Sequence, residues 1–149
     1  MEICVIAFKN NISERIAKLL PIKNKYYLPS TESEIRNFQI SNNVFVLGLG
    51  QYSGKDNDKL RIETICKNKF RNKLIDENRK SEYLISTQIN PGVESKNACG
   101  IGNSYCNLLS YLIASKNQNY AFIHIPKNFD IETAVREIKI LCQRFLHDS

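Results

Sequence analysis

Apolar and polar positions alternate between unbroken runs and helical stripes along the chain. Residues 2–8, Glu2-Ile3-Cys4-Val5-Ile6-Ala7-Phe8, form a continuous β-prone run, which predicts a strand buried on both faces. Asn11 or Ser13 then caps a helix through Leu20, with Ile12, Ile16, Leu19 and Leu20 on one face and Pro21 ending it. Tyr26-Tyr27-Leu28 is a short strand, and Ser30 or Thr31 caps a helix near Glu32–Ile40. Residues 43–49 are the second strong buried strand, running into a loop at Gly50-Gln51-Tyr52-Ser53-Gly54-Lys55. Leu60–Cys66 is a weaker strand with an irregularity, residues 67–80 are a polar surface loop, and Tyr83–Ser86 is another strand. Gly100–Ser104 is a tight turn that caps a helix from Tyr105 to Ser115, and Tyr120–Ile125 is an apolar strand closed by Pro126. Asp130 caps a last helix through Leu146, with Ile131, Val135, Ile138, Leu141, Cys142 and Phe145 at helical spacing.

Strands alternating with amphipathic helices predict an α/β fold: a three-layer α/β/α sandwich with a mixed, largely parallel central sheet. No repeat, linker or low-complexity segment interrupts the pattern, so residues 1–149 are read as a single domain. No basic leader precedes the first apolar run, and no stretch approaches the ~20 apolar residues of a membrane span, so a soluble cytoplasmic protein is expected.

Charge adds one feature. The formal net charge is +6, and much of the excess lies in Lys59, Arg61, Lys67, Lys69, Arg71, Lys73, Arg79 and Lys80. Such a stretch is commonly a solvated surface, and it is also able to attract an anionic partner. Aromatic residues at base-stacking positions are not evident there, so nucleic acid is not the expected partner.

The five cysteines, Cys4, Cys66, Cys99, Cys106 and Cys142, are odd in number and lack C-x-x-C spacing, which speaks against a zinc or redox site and against a disulfide scaffold. Cys4, Cys66 and Cys142 sit among apolar residues and read as core. No metal or organic cofactor is implied.

Three residues could carry chemistry. Cys106 lies in the first turn of its helix, where unpaired N–H groups and the helix dipole favour a thiolate; a cysteine opening an apolar helix is also an ordinary packing residue. His124 is the one strongly polar side chain in its strand, near the carboxyl end, where open α/β sheets place their sites; the bland alternative is a core histidine bonded to backbone. His147, near the chain end, reads as frayed and without a role. A Cys–His pair needs a third group to orient the imidazole, and Glu63, a lone acid among strand residues, is the best candidate. Its alternative is a solvent-facing glutamate paired with Arg61. The Gly50–Lys55 segment has neither the Walker spacing nor a dinucleotide fingerprint, since Ser53 stands where the third glycine belongs.

Together these blocks resemble pyroglutamyl peptidase, the pyrrolidone-carboxylate peptidase family. Ser13-Glu14-Arg15-Ile16-Ala17-Lys18-Leu19 is similar to its T-E-R-I-A-x-x-L helix, and Gly50–Lys55 to its G-Q-x-G-G-R loop. Ile62-Glu63-Thr64-Ile65-Cys66-Lys67-Asn68 resembles E-R-x-A-x-N, Gly102–Asn107 resembles G-x-x-x-C-N, and Phe122-Ile123-His124-Ile125-Pro126 resembles F-I-H-[IV]-P. The resemblance implies a cysteine peptidase that removes an N-terminal pyroglutamyl or related group from a peptide or small amide. Cys106 would be the nucleophile, His124 the acid/base and Glu63 the orienting acid, with Phe8 and Gln51 contacting substrate. The family's G-F-E-P-F-G-G loop is reduced here to Ala7-Phe8-Lys9-Asn10, which leaves one of its two pocket aromatics and implies an altered substrate pocket. The alternative is a non-catalytic or altered-specificity descendant that binds an anionic partner through residues 67–80. A homo-oligomer stays open.

Overall fold

The computed structural model describes residues 1–146; His147 lies outside them. A six-stranded sheet carries the order β2-β1-β3-β8-β4-β7. Its strands are β1 (Glu2–Phe8), β2 (Asn24–Leu28), β3 (Val44–Tyr52), β4 (Leu60–Glu63), β7 (Ser95–Ala98) and β8 (Tyr120–Pro126), and β5 (Ile65–Lys67) and β6 (Glu82–Leu84) form a separate ribbon. All neighbours in the large sheet are parallel except β4 and β8. The apolar runs at β1, β3 and β8 are the central strands, buried on both faces as their composition requires.

Helices cover both faces. Ile3, Val5, Phe45, Leu47, Ile123 and Ile125 point to the layer formed by α1 (Ile12–Leu19), α4 (Ile131–Leu141) and α5 (Gln143–Leu146). Cys4, Ile6, Phe8, Val46 and Phe122 point to α2 (Glu32–Asn37) and α3 (Tyr105–Ala114). The result is a three-layer α/β/α sandwich with a mixed, largely parallel sheet. Cys4, Cys66 and Cys142 are core residues, and Cys106 is half-buried. Asn11 and Asp130 cap α1 and α4, accepting from Ser13 N at 2.8 Å and Thr133 N at 2.9 Å.

Several boundaries differ from expectation for tertiary reasons. The Gly50–Lys55 loop begins later, because β3 continues through Tyr52 in register with His124, Ile125 and Pro126. The α2 helix stops at Asn37, and Phe38 turns out of it to pack edge-on against Tyr26. The Leu60–Cys66 strand breaks at Thr64, whose N–H and hydroxyl both bond Ala98 O at 2.9 Å. The last helix is interrupted at Cys142, and the new direction stacks Phe145 on Phe45 at 3.9 Å between centroids. The strand expected at Tyr83–Ser86 ends at Leu84, and Ser86 adopts a φ of 61°. Edge strand β7, Ser-Lys-Asn-Ala, has no apolar periodicity and was not expected.

Candidate active site

The pleat brings two rows of residues to the face covered by α3. One row is Gly50, His124, Arg61 and Lys96; the next is Gly48, Phe122 and Glu63. The antiparallel β4–β8 pair places Glu63 diagonally from His124, and the two side chains meet: His124 Nδ1 lies 2.8 Å from Glu63 Oε2. Both are buried, Glu63 completely, so the solvent-facing alternative for Glu63 does not hold. An ionised carboxylate only accepts, so Nδ1 carries the hydrogen and Nε2 of a neutral imidazole keeps its lone pair. The second carboxylate oxygen accepts from Gly100 N–H at 2.9 Å. Burial alone would raise the Glu63 carboxyl, but the hydrogen bond and charge of His124, the Gly100 N–H and the Arg61 charge outweigh it, and the net direction is down.

Cys106 approaches from the helical layer. A Cβ added to Gly50 would lie 2.6 Å from Cys106 Sγ and 2.7 Å from Phe122 Cζ, so the bare backbone of Gly50 is the seat of the sulfur. Gly50 and His124 are register partners on adjacent strands, so the strand on which the sulfur rests neighbours the strand that bears the imidazole. The turn that delivers α3 depends on Gly102, whose φ of 86° only glycine adopts freely. Ser104 makes no side-chain cap bond to α3, which leaves the N–H groups of its first turn without that partner at the rim of the cleft that Ser104, Tyr105 and Cys106 line. The thiol, however, is not favoured as thiolate. Burial pushes it up to about 12, with the Glu63 charge adding to the rise. Desolvation outweighs the helix dipole here, and the thiol is favoured over the thiolate.

A cleft of about 470 Å³ opens over these groups and is lined by both Cys106 and His124. Phe8 and Gln51 line it too, with Tyr52, the Gly100–Tyr105 turn, Asn11 and Ser30. Gln51 Oε1 also accepts from Ile12 N–H at 3.2 Å, fastening β3 to the start of α1. Glu63 sits behind His124 and does not line the cleft. Among the described residues, no group of three or more His, Cys, Asp or Glu side chains is arranged to hold a metal ion.

The segment 67–80 differs from a free surface loop. Asn107 Oδ1 accepts from Lys67 N–H at 2.9 Å, and its Nδ2 donates to Lys67 O at 2.8 Å and Lys69 O at 2.7 Å. Asn68 closes the loop on itself through Ile75 N, Asp76 N and Asp76 O, while Phe70 and Ile75 enter the core. Three supporting residues escaped the sequence reading or were given a lesser part. Asn107 looked like motif only. Arg61 looked like a surface partner and is buried against Glu63. Ser86 donates to Glu63 O at 2.6 Å and accepts from Phe122 N–H at 3.0 Å, bridging the point where β4 leaves β8. A lone arginine inside a short strand was the available signal for Arg61; nothing marked Ser86.

No family model matches the sequence, and no curated protein matches it. Solved structures do. The pyrrolidone carboxyl peptidase from Thermus thermophilus superposes with a TM-score of 0.79 at 16% identity, over 95% of this chain and 98% of that one. The enzyme from Thermococcus litoralis gives 0.77 at 16% identity, over 99% and 93%. A mutant of the P. furiosus enzyme gives 0.79 at 18% identity, over 99% of both chains. The chain has the pyrrolidone carboxyl peptidase fold. Within that fold, Cys106, His124 and Glu63 come from α3, β8 and β4, three elements that only the complete sheet brings together.

Proposed function

We propose that the chain is a cysteine peptidase of the pyroglutamyl-peptidase type, releasing an N-terminal pyroglutamyl or related group from a peptide. One observation carries the reading: the buried 2.8 Å contact between His124 and Glu63 lies one strand from Gly50, on which the Cys106 sulfur rests. In this reading the Cys106 proton passes to His124 Nε2 as sulfur bonds to the amide carbonyl carbon. Glu63 stabilises the imidazolium that results. The oxyanion meets the open N–H groups at the start of α3. As the tetrahedral intermediate collapses, the C–N bond breaks and His124 gives its proton to the leaving amine. Water then attacks the thioester, His124 takes a proton from it, and the acyl group leaves as an acid with the thiol restored. Phe8 would offer its ring and Gln51 its amide to the acyl residue.

Five unpaired cysteines fit a reducing, cytoplasmic setting, and among the described residues no helix is long and apolar enough to cross a membrane. The test is turnover of a fluorogenic pyroglutamyl amide. Wild type turns it over; Cys106→Ser and His124→Ala abolish turnover, and His124→Ala also slows labelling of Cys106 by iodoacetamide. Wild type without turnover of any such amide, together with Cys106 labelling that ignores His124, would sink the reading.

A second reading has its own observation. Lys67 and Lys69 line a depression of about 410 Å³ that shares Gly100–Asn103 with the cleft. An altered-specificity or non-catalytic protein would bind an anionic partner there, with affinity that falls steeply with salt. Affinity that is unmoved by salt or by Lys67→Gln with Lys69→Gln excludes it.

A further inference from the structure

The catalytic row contains a buried cation that the mechanism does not use. The Arg61 side chain is 9% exposed, and its Nε lies 3.5 Å from Glu63 Oε2, the same oxygen that meets His124 Nδ1. This Nε has no hydrogen-bond partner. The guanidinium is held instead by its other contacts. Nη1 donates to Asp56 Oδ2 at 2.9 Å, and the guanidinium carbon lies 4.3 Å over the Tyr52 ring. Nη2 sits so close to Gly100 that a Cβ there would lie 3.1 Å from it. Asp56 is in turn paired with Lys96, the next residue along the row, which also holds Asp58.

The charged and titratable groups around His124 come from every element packed on it: Glu63 and Arg61 on β4, the Cys106 thiol across the cleft on α3, and the Tyr52 phenol on β3, whose ring lies 5.7 Å away. Asp56, Asp58 and Lys96 lie farther out, around Arg61. A buried carboxylate bonded to an imidazole draws a proton onto it, because the bare negative charge is costly in a medium of low polarity. With Arg61 beside Glu63, that charge is already matched and His124 need not carry a proton. A base that is to accept the proton of a thiol must start without one.

We propose that Arg61 is a positioning residue that keeps His124 unprotonated at rest and, through Tyr52 and Asp56, fastens the Tyr52–Gly54 wall of the cleft and the turn that follows it to the same charge. The inference rests on Cys106 and His124 acting as nucleophile and base.

The experiment follows the pH dependence of Cys106 alkylation by iodoacetamide, read at that residue by mass spectrometry, which needs no substrate. Removing a nearby cation raises the proton affinity of every group around it, so Arg61→Met moves the acid limb to higher pH by about one unit. Arg61→Lys keeps the charge and leaves the limb near wild type. A lysine cannot hold Asp56, Glu63 and the Tyr52 face at once, so the KM for a pyroglutamyl amide rises with it. Asp56→Asn likewise raises KM and leaves the limb in place. Should Arg61→Met not fold, Arg61→Gln, uncharged but still a donor, carries the same expected shift. A limb that stays put without the charge overturns the proposal, as does one that moves as far in Arg61→Lys as in Arg61→Met. A wild type that turns over no amide while its limb still moves with Arg61 defeats the hydrolase reading and leaves this one standing. Turnover with an unmoved limb does the reverse, and Cys106 that alkylates at no pH defeats both.

Discussion

At the scale of single residues, the site is defined as much by missing atoms as by present ones. Gly50 has no side chain where Cys106 Sγ and the Phe122 ring converge. Gly50→Ala forces the sulfur or the ring to move by about 1 Å, and under the proposed reaction a misplacement of that size costs about 10²-fold in rate. The expected result is a kcat/KM reduced by about that factor with a folded protein, checked by turnover beside a thermal melt. Glu63→Gln keeps the shape but loses the charge that supports an imidazolium. Its kcat falls on the order of 10³-fold while KM changes little, in line with the size of general acid–base contributions, and steady-state kinetics decide it. In the sequence Gly48-Leu49-Gly50 begins a dinucleotide fingerprint that Ser53 breaks, which leaves Gly50 without a reason. The structure supplies that reason, the close approach of Cys106 on α3 to β3.

At the scale of elements, the Cys106 helix and the basic segment are one unit. Asn107, one residue after Cys106, satisfies the backbone of Lys67 and Lys69 with three hydrogen bonds. Asn107→Ala leaves those groups unpaired in a part-buried place. It destabilises by about 2 kcal/mol, the usual penalty for unsatisfied buried polar groups, and opens residues 67–80 to protease. Denaturant melts and limited proteolysis measure the two effects. The central strands and the α3 helix were legible because their apolar runs and spacing are set by burial on both faces. The edge strand β7 was not, since an edge strand of Ser-Lys-Asn-Ala has no such imprint; what holds it is parallel pairing with β4 and Ser95 donating to Glu137 Oε2 at 2.5 Å, 42 residues away. The break at Cys142 was hidden for a related reason. The helical spacing continues through it, and only the stack of Phe145 on Phe45 redirects the chain.

At the scale of the whole molecule, stability and site share one carboxylate. The Glu63 carboxyl is held below its ordinary 4.5 in the folded protein, so the unfolded chain binds its proton more readily. Its contribution to stability is therefore complete above that value and is lost as pH falls through the lower, folded one. Unfolding followed from pH 7 down to pH 2 is expected to show a loss of stability beginning near 4.5, and Glu63→Gln flattens that part of the curve. The order of the sheet has a consequence of another kind. The strand at its middle, β8, is residues 120–126, and it separates β2-β1-β3 from β4-β7. As the chain emerges from a ribosome, all the other strands of the sheet exist before the one that joins the two halves. Until then both half-sheets present open edges, and no site can form. Pairing across such sequence distance is slow, so during refolding the regain of activity is expected to coincide with the last kinetic phase, and brief exposure of those edges makes this the step at which a chaperone would matter.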